Sequence, residues 1–502
     1  MAGEELHFVI LGGGTAGWMA ACLIAKKWSQ HKVTVVESPD IGIIGVGEGS
    51  TPQLKAFFET LGLAEAEWMP KCNATYKAGI SFHGWSDRPG FEHYFHPFHT
   101  QLDSFTEPQF AFHTRARRTG RDVCAHPDRF FLPTRIAADR RAPLAPENFP
   151  FEIGYGYHFD AVLVGRTLRE HATTKLNVVH LERTVTEVIL HQTGQVASLR
   201  TSDDEPISGD FFIDCSGFRG AIIQQALREP FIPFAENLFN DRAVAMPTPN
   251  DAGELPSETR ATALSSGWAW RIPLTNRAGN GYVYSSRYTD PDKAEAELRA
   301  HLGLIDSDVE ARHLTMKVGR VERSWVKNCL AVGLSQGFIE PLEATALHIV
   351  QATVDSFIQA FEDGGMTAEH ADEFNERIGR RYDGIRDYIV AHYRMNQRSD
   401  SLYWHDNAHN GRLSDNLKGV MTAWFTGADL TATIHELDIA RYYSSLSWHC
   451  LLAGYGTFPA QEKLVASLEG LQLADMAQIE KFISGCARNF PSHREALANL
   501  SS

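Results

Sequence analysis

The stretch LHFVILGGGTAGWMAACLIAKKW (6–28), followed by KVTVVE (32–37), decides the fold. Residues 6–11 read as a buried strand, 12–17 as a glycine turn, 18–28 as a helix and 32–37 as a second strand ending in an acid, together a βαβ unit. The spacing is Gly12-x-Gly14-x-x-Gly17: Gly12 permits the tight turn, Gly14 lets a pyrophosphate reach the backbone, and Gly17 allows close helix–strand packing. Gly13, Thr15 and Ala16 complete a loop at a helix N-terminus, where unpaired amides face negative charge. Glu37 closes the second strand, where a carboxylate can accept ribose hydroxyls.

The next strand of this type, DFFIDCSGFRG (210–220), comes much later in the chain. Nicotinamide dehydrogenases usually complete the sheet with βα repeats close by, so the late return favours FAD as cofactor. The expected class is α/β, an FAD-binding, glutathione-reductase-type, Rossmann-like fold. A last strand, CLAVGL (329–334), leads to a helix starting near 343. From about 355 the apolar residues recur at three-to-four spacing, which predicts a mostly helical C-terminal lobe. The expected division is a body over 1–354 and a lobe over 355–502.

Bulk properties narrow the function. Lys plus Arg number 47 against 62 Asp plus Glu, a formal charge of −15, which argues against a nucleic-acid partner. Seven cysteines lie far apart with no CxxC pair, the pattern of free thiols in a reducing cytosol rather than of a metal site or disulfide frame, so the expected location is cytoplasmic and the expected metal content none. Residues 8–25 carry no charge, but three consecutive glycines interrupt them and Glu4 and Glu5 precede them, so neither a membrane span nor a signal peptide is expected.

One cation stands out in TYKAGISFHGW (75–85): Lys77 opens an apolar, aromatic stretch, whereas a lone lysine is usually a solvated surface charge. Around it the chain resembles the flavin-dependent halogenases of the tryptophan-halogenase family. The resemblance is carried by GGGTAGWMAA (12–21), GVGEGSTP (45–52), CNATYKAGISFHGW (72–85), YFHPF (94–98), DCSGFRG (214–220), GWAWRIP (267–273) and GFIEPLEATALHI (337–349). The WxWxIP element, Trp268, Trp270, Ile272 and Pro273, is the most diagnostic and is read as mainly structural.

The resemblance implies a two-component enzyme. FADH2 arrives from a separate flavin reductase, reacts with O2, and a halide, chloride or bromide, is oxidised to hypohalous acid. Lys77 matches the lysine that holds this electrophile beside the substrate, and Glu343 matches the glutamate that assists delivery and takes the proton leaving the ring. The halide is held by backbone amides at Thr345 and Ala346; family members often carry glycine at the second position, which suggests an altered pocket favouring bromide. Further flavin contacts fall on Ser38, Ile41, Glu48, Val185, Leu334 and Leu347. The substrate is sandwiched by His96, Phe98 and, opposite, Trp448. A homodimer is an expectation from the family alone.

Tryptophan-specific members clamp the amino-acid head with a tyrosine pair and an acid six or seven residues on. Tyr442 and Tyr443 are present, but His449 and Cys450 follow. A zwitterion lacking that carboxylate loses a charge-assisted partner worth about 1.5–3 kcal/mol. Indole or a substituted indole is therefore expected before tryptophan. The alternatives are tryptophan itself, a flavin-dependent aromatic monooxygenase, which needs neither Lys77 nor Glu343, and a non-catalytic flavoprotein.

Overall fold

The computed structural model describes residues 5–40, 47–465 and 475–500. Backbone contacts divide the chain into two compact units, each built from three stretches. The first comprises Met1–Ala74, Phe159–Ala235 and Met316–Asp383; the second comprises Thr75–His158, Glu236–Thr315 and Gly384–Ser502.

The first unit centres on a six-stranded sheet. His7–Leu11 lies between Lys32–Glu37 and Phe211–Asp214, parallel to both, and Val179–Glu182 and Cys329–Ala331 extend the parallel run on either side. Strands covered on both faces need continuous apolar sequence, which FVIL and FFI supply. The helix Thr15–Lys27 is buried over most of its circumference, as a helix apolar all round must be, and packs against Ala161–Lys175 and Ala346–Asp363. It starts at Thr15, within the glycine run, three residues before the start expected from sequence.

Two other boundaries differ from expectation, each at a left-handed residue. The strand predicted over 329–334 ends at Ala331, because Gly333 (φ +73°) turns the chain into a short 3-10 turn, Gly333–Ser335. The helix expected near 343 begins at Ala346, since Pro341–Glu343 forms a separate 3-10 turn and Ala344 (φ +56°) interrupts the helical path.

The second unit holds a seven-stranded sheet, ordered Arg312–Thr315, Arg242–Thr248, Ala278–Tyr284, Gly267–Pro273, Glu258–Leu264, Gly79–His83, His93–Pro97. All its pairings are antiparallel except that between Glu258–Leu264 and Gly79–His83. The helix Pro291–Leu302 covers part of one face, where Ala294 and Leu298 pack with Val244, Met246, Ala269, Tyr282 and Tyr284. Its ends are well specified: Asp290 accepts from the Lys293 amide at 2.9 Å, and Gly303 (φ +70°) closes the last turn. On Gly267–Pro273 the alternation places Trp268, Trp270 and Ile272 on one face, as expected, but both faces of this strand are buried. Beyond Gly384 the unit is mainly helical, from the end of Ala371–Arg394 through Leu402–Ala408, Asp415–Thr426, Leu430–Glu436, Ser445–Gly454, Met476–Ala487 and His493–Asn499.

All seven cysteines are free. No helix among the described residues is long and apolar enough to cross a membrane, and no cluster of metal-ligating side chains occurs among them.

Candidate active site

In the first unit the glycine loop sits at the carboxyl ends of the parallel strands. Gly12 has φ +116°, and a Cβ there would lie 2.2 Å from the Cys215 carbonyl oxygen, so only glycine lets the loop rest on the end of Phe211–Asp214. A Cβ on Gly17 would meet the Gly12 carbonyl oxygen at 1.9 Å. A Cβ on Gly14 would meet nothing within 4 Å, so the loop presents bare backbone to open space at that position. Gly14 is also the N-cap of the helix, with no side-chain cap and no acid in the first turn, which leaves the amides of Thr15, Ala16 and Gly17 for an anion. This is a cradle that fits a pyrophosphate.

The other expected cofactor residues that are described lie in the same unit, and Glu37 and the turn carrying Leu334 meet the loop itself. Glu37 lies against Gly13, where a Cβ would be 2.2 Å from its carboxyl carbon, and it accepts from His180 Nε2 at 3.0 Å. Ser38 pairs with Thr184 at 2.8 Å, beside Val185 at the start of its strand. A Cβ on Gly333 would stand 2.8 Å from that of Ala16, so the turn carrying Leu334 closes on the loop. Half-buried Glu48 has its carboxyl pushed up to about 7, by burial first and by neighbouring Asp160 second. Ile41 lies outside the described residues.

Asp214 is a positioning residue that sequence reasoning passed over, although the motif DCSGFRG was noted. Fully buried, it accepts from the Ser216 amide at 3.0 Å and hydroxyl at 2.6 Å, and from the Ile222 and Ile223 amides, each at 2.8 Å. These bonds fix the turn on which Gly12 rests. The signal available was an acid ending an apolar strand directly before a Ser-Gly turn.

Also in this unit, Glu343 is buried on its 3-10 turn. Thr345 follows as N-cap of the helix Ala346–Asp363, with no side-chain cap, so its side chain does not satisfy the first amides of the helix. Leu347 is buried in the first turn.

In the second unit Lys77 has no solvent exposure, and its ammonium lies 5.2 Å from the centre of the Phe98 ring, a cation–π contact. Its strand, Thr75–Lys77, pairs antiparallel with 156–158. Thr75 donates its hydroxyl proton to the Pro273 carbonyl at 2.7 Å, so His158 Nδ1, 3.1 Å from the same oxygen, carries the proton, and Nε2 accepts from Thr259 at 3.0 Å. Burial, then the charges of Lys77 and His493, hold His158 well below its ordinary value and keep it neutral.

The aromatic residues gather on the same unit. His96 is buried on His93–Pro97, and Trp448 on Ser445–Gly454. Both contact Tyr388, a residue the sequence reading did not single out: its ring is 6.2 Å from His96 (84°) and 4.8 Å from Trp448 (80°). Tyr388 also stacks on Tyr443 at 3.6 Å and 8°. Asp387, on the helix Ala371–Arg394, lines a small cavity with Tyr442, Tyr443, Asn416, Ile439 and Trp448.

A parallel α/β sheet with a glycine cradle at its carboxyl edge defines a dinucleotide-binding fold. The chain belongs to the tryptophan halogenase family, whose model matches residues 7–469. It is 36% identical to 7-chloro-L-tryptophan 6-halogenase KtzR of Kutzneria, over 98% of this chain and 99% of that one. It is 38% identical to tryptophan 6-halogenase SttH of Streptomyces toxytricini, over 94% and 92% of the two chains. Among solved structures it is similar to BrvH, a flavin-dependent halogenase from Brevundimonas, with a TM-score of 0.84 at 30% identity over 99% and 100% of the chains. The protein is a flavin-dependent halogenase, an oxidoreductase.

Proposed function

We propose that the enzyme halogenates the ring of indole or a substituted indole, using Lys77 to hold the electrophile and Glu343 to take up the ring proton. The observation that carries this reading is Lys77 itself: a buried lysine against an aromatic ring, at the position where the family resemblance implies the lysine that holds the electrophile. Burying an ammonium is costly, so its retention there favours a chemical role over a packing one.

FAD binds through Gly12, Gly13, Gly14, Thr15, Ala16 and Gly17, with Glu37, Ser38, Glu48, Val185, Leu334 and Leu347 around it. When bound and reduced by a partner reductase, it supplies with O2 the two-electron oxidation of halide: FADH2, O2, halide and a proton give FAD, hypohalous acid and water. The amides at Thr345 and Ala346 hold the halide. The Lys77 ammonium donates to the oxygen of hypohalous acid and polarises the oxygen–halogen bond. The ring's electron pair forms the carbon–halogen bond as that bond breaks, and the departing hydroxide takes a proton from the Lys77 ammonium and leaves as water. The Glu343 carboxylate accepts the ring proton, and exchange with solvent returns one proton to Lys77 and removes the other from Glu343. His158, held neutral on the strand paired with that of Lys77, adds no second positive charge beside it.

A second reading, tryptophan as the substrate, is favoured by the named relatives, KtzR and SttH, whose names specify tryptophan substrates. The test of the lysine is Lys77→Ala, assayed with FAD, NADH, a flavin reductase, bromide and indole. Halogenated product is expected to fall to background while FAD affinity and flavin reoxidation stay at wild-type levels. Product persisting above a tenth of the wild-type rate, roughly the loss one positioned group must exceed to be catalytic, would remove Lys77 from the mechanism.

A further inference from the structure

We infer that two buried histidines, His158 and His493, are positioning residues for Lys77: one from the paired strand and one from the C-terminal helix, they clamp its short strand and fix where the ammonium stands. The inference goes beyond the role proposed for the lysine and rests on it. His493 lies past residue 469, outside the stretch that the family model matches.

Three residues of strand give a lysine little support by themselves. Thr75–Lys77 is the outermost strand of its sheet, paired with Gly156–Phe159, and the far edge of such a strand leaves amides that need another partner. There the Tyr76 amide donates to His493 Nε2 at 3.1 Å, while His493 Nδ1 donates to the Leu255 carbonyl at 3.2 Å. An amide only donates and a carbonyl only accepts, so the tautomer is fixed and the ring carries no charge. On the paired side the residue opposite Lys77 is Gly156, which has no side chain to prop it. The next residue on that face is His158, opposite Thr75. Its ring joins Thr75 at 3.1 Å and Thr259 at 3.0 Å, and Thr75 reaches the Pro273 carbonyl at 2.7 Å, so four strands meet at one imidazole.

Both histidines have no solvent exposure, and each uses both ring nitrogens, so neither takes up a proton without breaking a hydrogen bond. Burial holds both below the ordinary histidine value, His493 at about 4. Uncharged, fully bonded supports suit a buried ammonium, because they fix its strand and add no repulsion. The consequence is chemical. Hypohalous acid polarised by an ammonium that is out of place is not aligned with the ring, and a displacement of about 1 Å can cost roughly a hundredfold in rate. The acid then escapes to solvent before it reacts.

Turnover of indole and bromide with FAD, NADH, a flavin reductase and catalase, with dimedone in excess to capture escaped hypobromous acid, tests this. Dimedone exchanges a C–H bond for a C–Br bond and releases water, so ring-bound and escaped bromine are counted separately by mass spectrometry. His493→Leu, which loses both hydrogen bonds, should lower the ratio of ring-bound to escaped bromine about tenfold or more. Total bromine oxidised per FADH2 should stay at the wild-type value, which a general loss of structure would lower. His493→Gln, whose amide oxygen can accept in place of Nε2, should restore the wild-type ratio. Should His493→Leu fail to fold by circular dichroism, Thr75→Val, which removes the hydroxyl that His158 meets and keeps the shape, makes the same comparison. A folded His493→Leu or Thr75→Val protein with the wild-type ratio would overturn the inference, as would total and ring-bound bromine falling in the same proportion. Lys77→Ala separates the inference from the reading beneath it. A lowered ratio there, beside wild-type ratios in the other two variants, sinks the inference alone; an unchanged ratio there sinks both.

Discussion

Glu258 is the buried carboxyl with the plainest consequence. It is nine-tenths buried, its Oε2 has no hydrogen-bond partner, and burial pushes it up to about 7 against the pull of Arg140 and Arg260. Below its ordinary value of 4.5 it is protonated in both folded and unfolded chains and contributes nothing to pH dependence. Between 4.5 and 7 the unfolded chain releases the proton while the folded one keeps it, so stability falls as pH rises and the penalty is complete above 7. Glu258→Gln should therefore raise the thermal midpoint at pH 8 and leave it nearly unchanged at pH 4.5, read by scanning calorimetry; an equal effect at both pH values would contradict the assignment. Residues differ in how readily sequence reveals them. Lys77 was legible because a cation in an apolar stretch is an anomaly, whereas Tyr388 was not, because an aromatic at helical spacing in RDYIVAHYRM looks like any core residue.

Among elements, the glycine loop was the most legible, because each glycine answers a distinct steric demand. Gly12→Ala should put a methyl group into the Cys215 carbonyl at a backbone angle alanine resists. We expect FAD affinity to fall at least about tenfold, the equivalent of roughly 1.4 kcal/mol, with a lower thermal midpoint; an unchanged dissociation constant by flavin fluorescence would show that the loop does not hold the cofactor. The strand Gly267–Pro273 shows a demand that sequence hides: the Trp270 ring occupies the place where a side chain on Gly281 would be, with a Cβ falling 2.1 Å from the indole. Single residues also decided where elements end. Gly333 and Ala344 adopt left-handed conformations, stopping one strand and delaying one helix, and nothing in the local apolar pattern marks an alanine for that role.

At the scale of the whole molecule, the chain enters each unit three times, and this is where sequence pattern conveys least. The late return of Phe211–Asp214 to the first strand was readable from its composition. The parallel pairing of Glu258–Leu264 with Gly79–His83 was not, since hydrophobic alternation gives a strand its faces but no partner. The placing of Asp387 in one cavity with the tyrosine pair was not readable for the same reason: it comes from a different helix, Ala371–Arg394, and only folding brings it to Tyr442 and Tyr443.

Transfer of oxidised halide to an indole ring is tested by turnover of indole with bromide, FAD, NADH and a flavin reductase, with products read by mass spectrometry. The expected product carries the paired isotope peaks of bromine and depends on flavin, reductase and bromide together. An oxygenated ring without halogen, or no product while the flavin is bound and reoxidised, would contradict it.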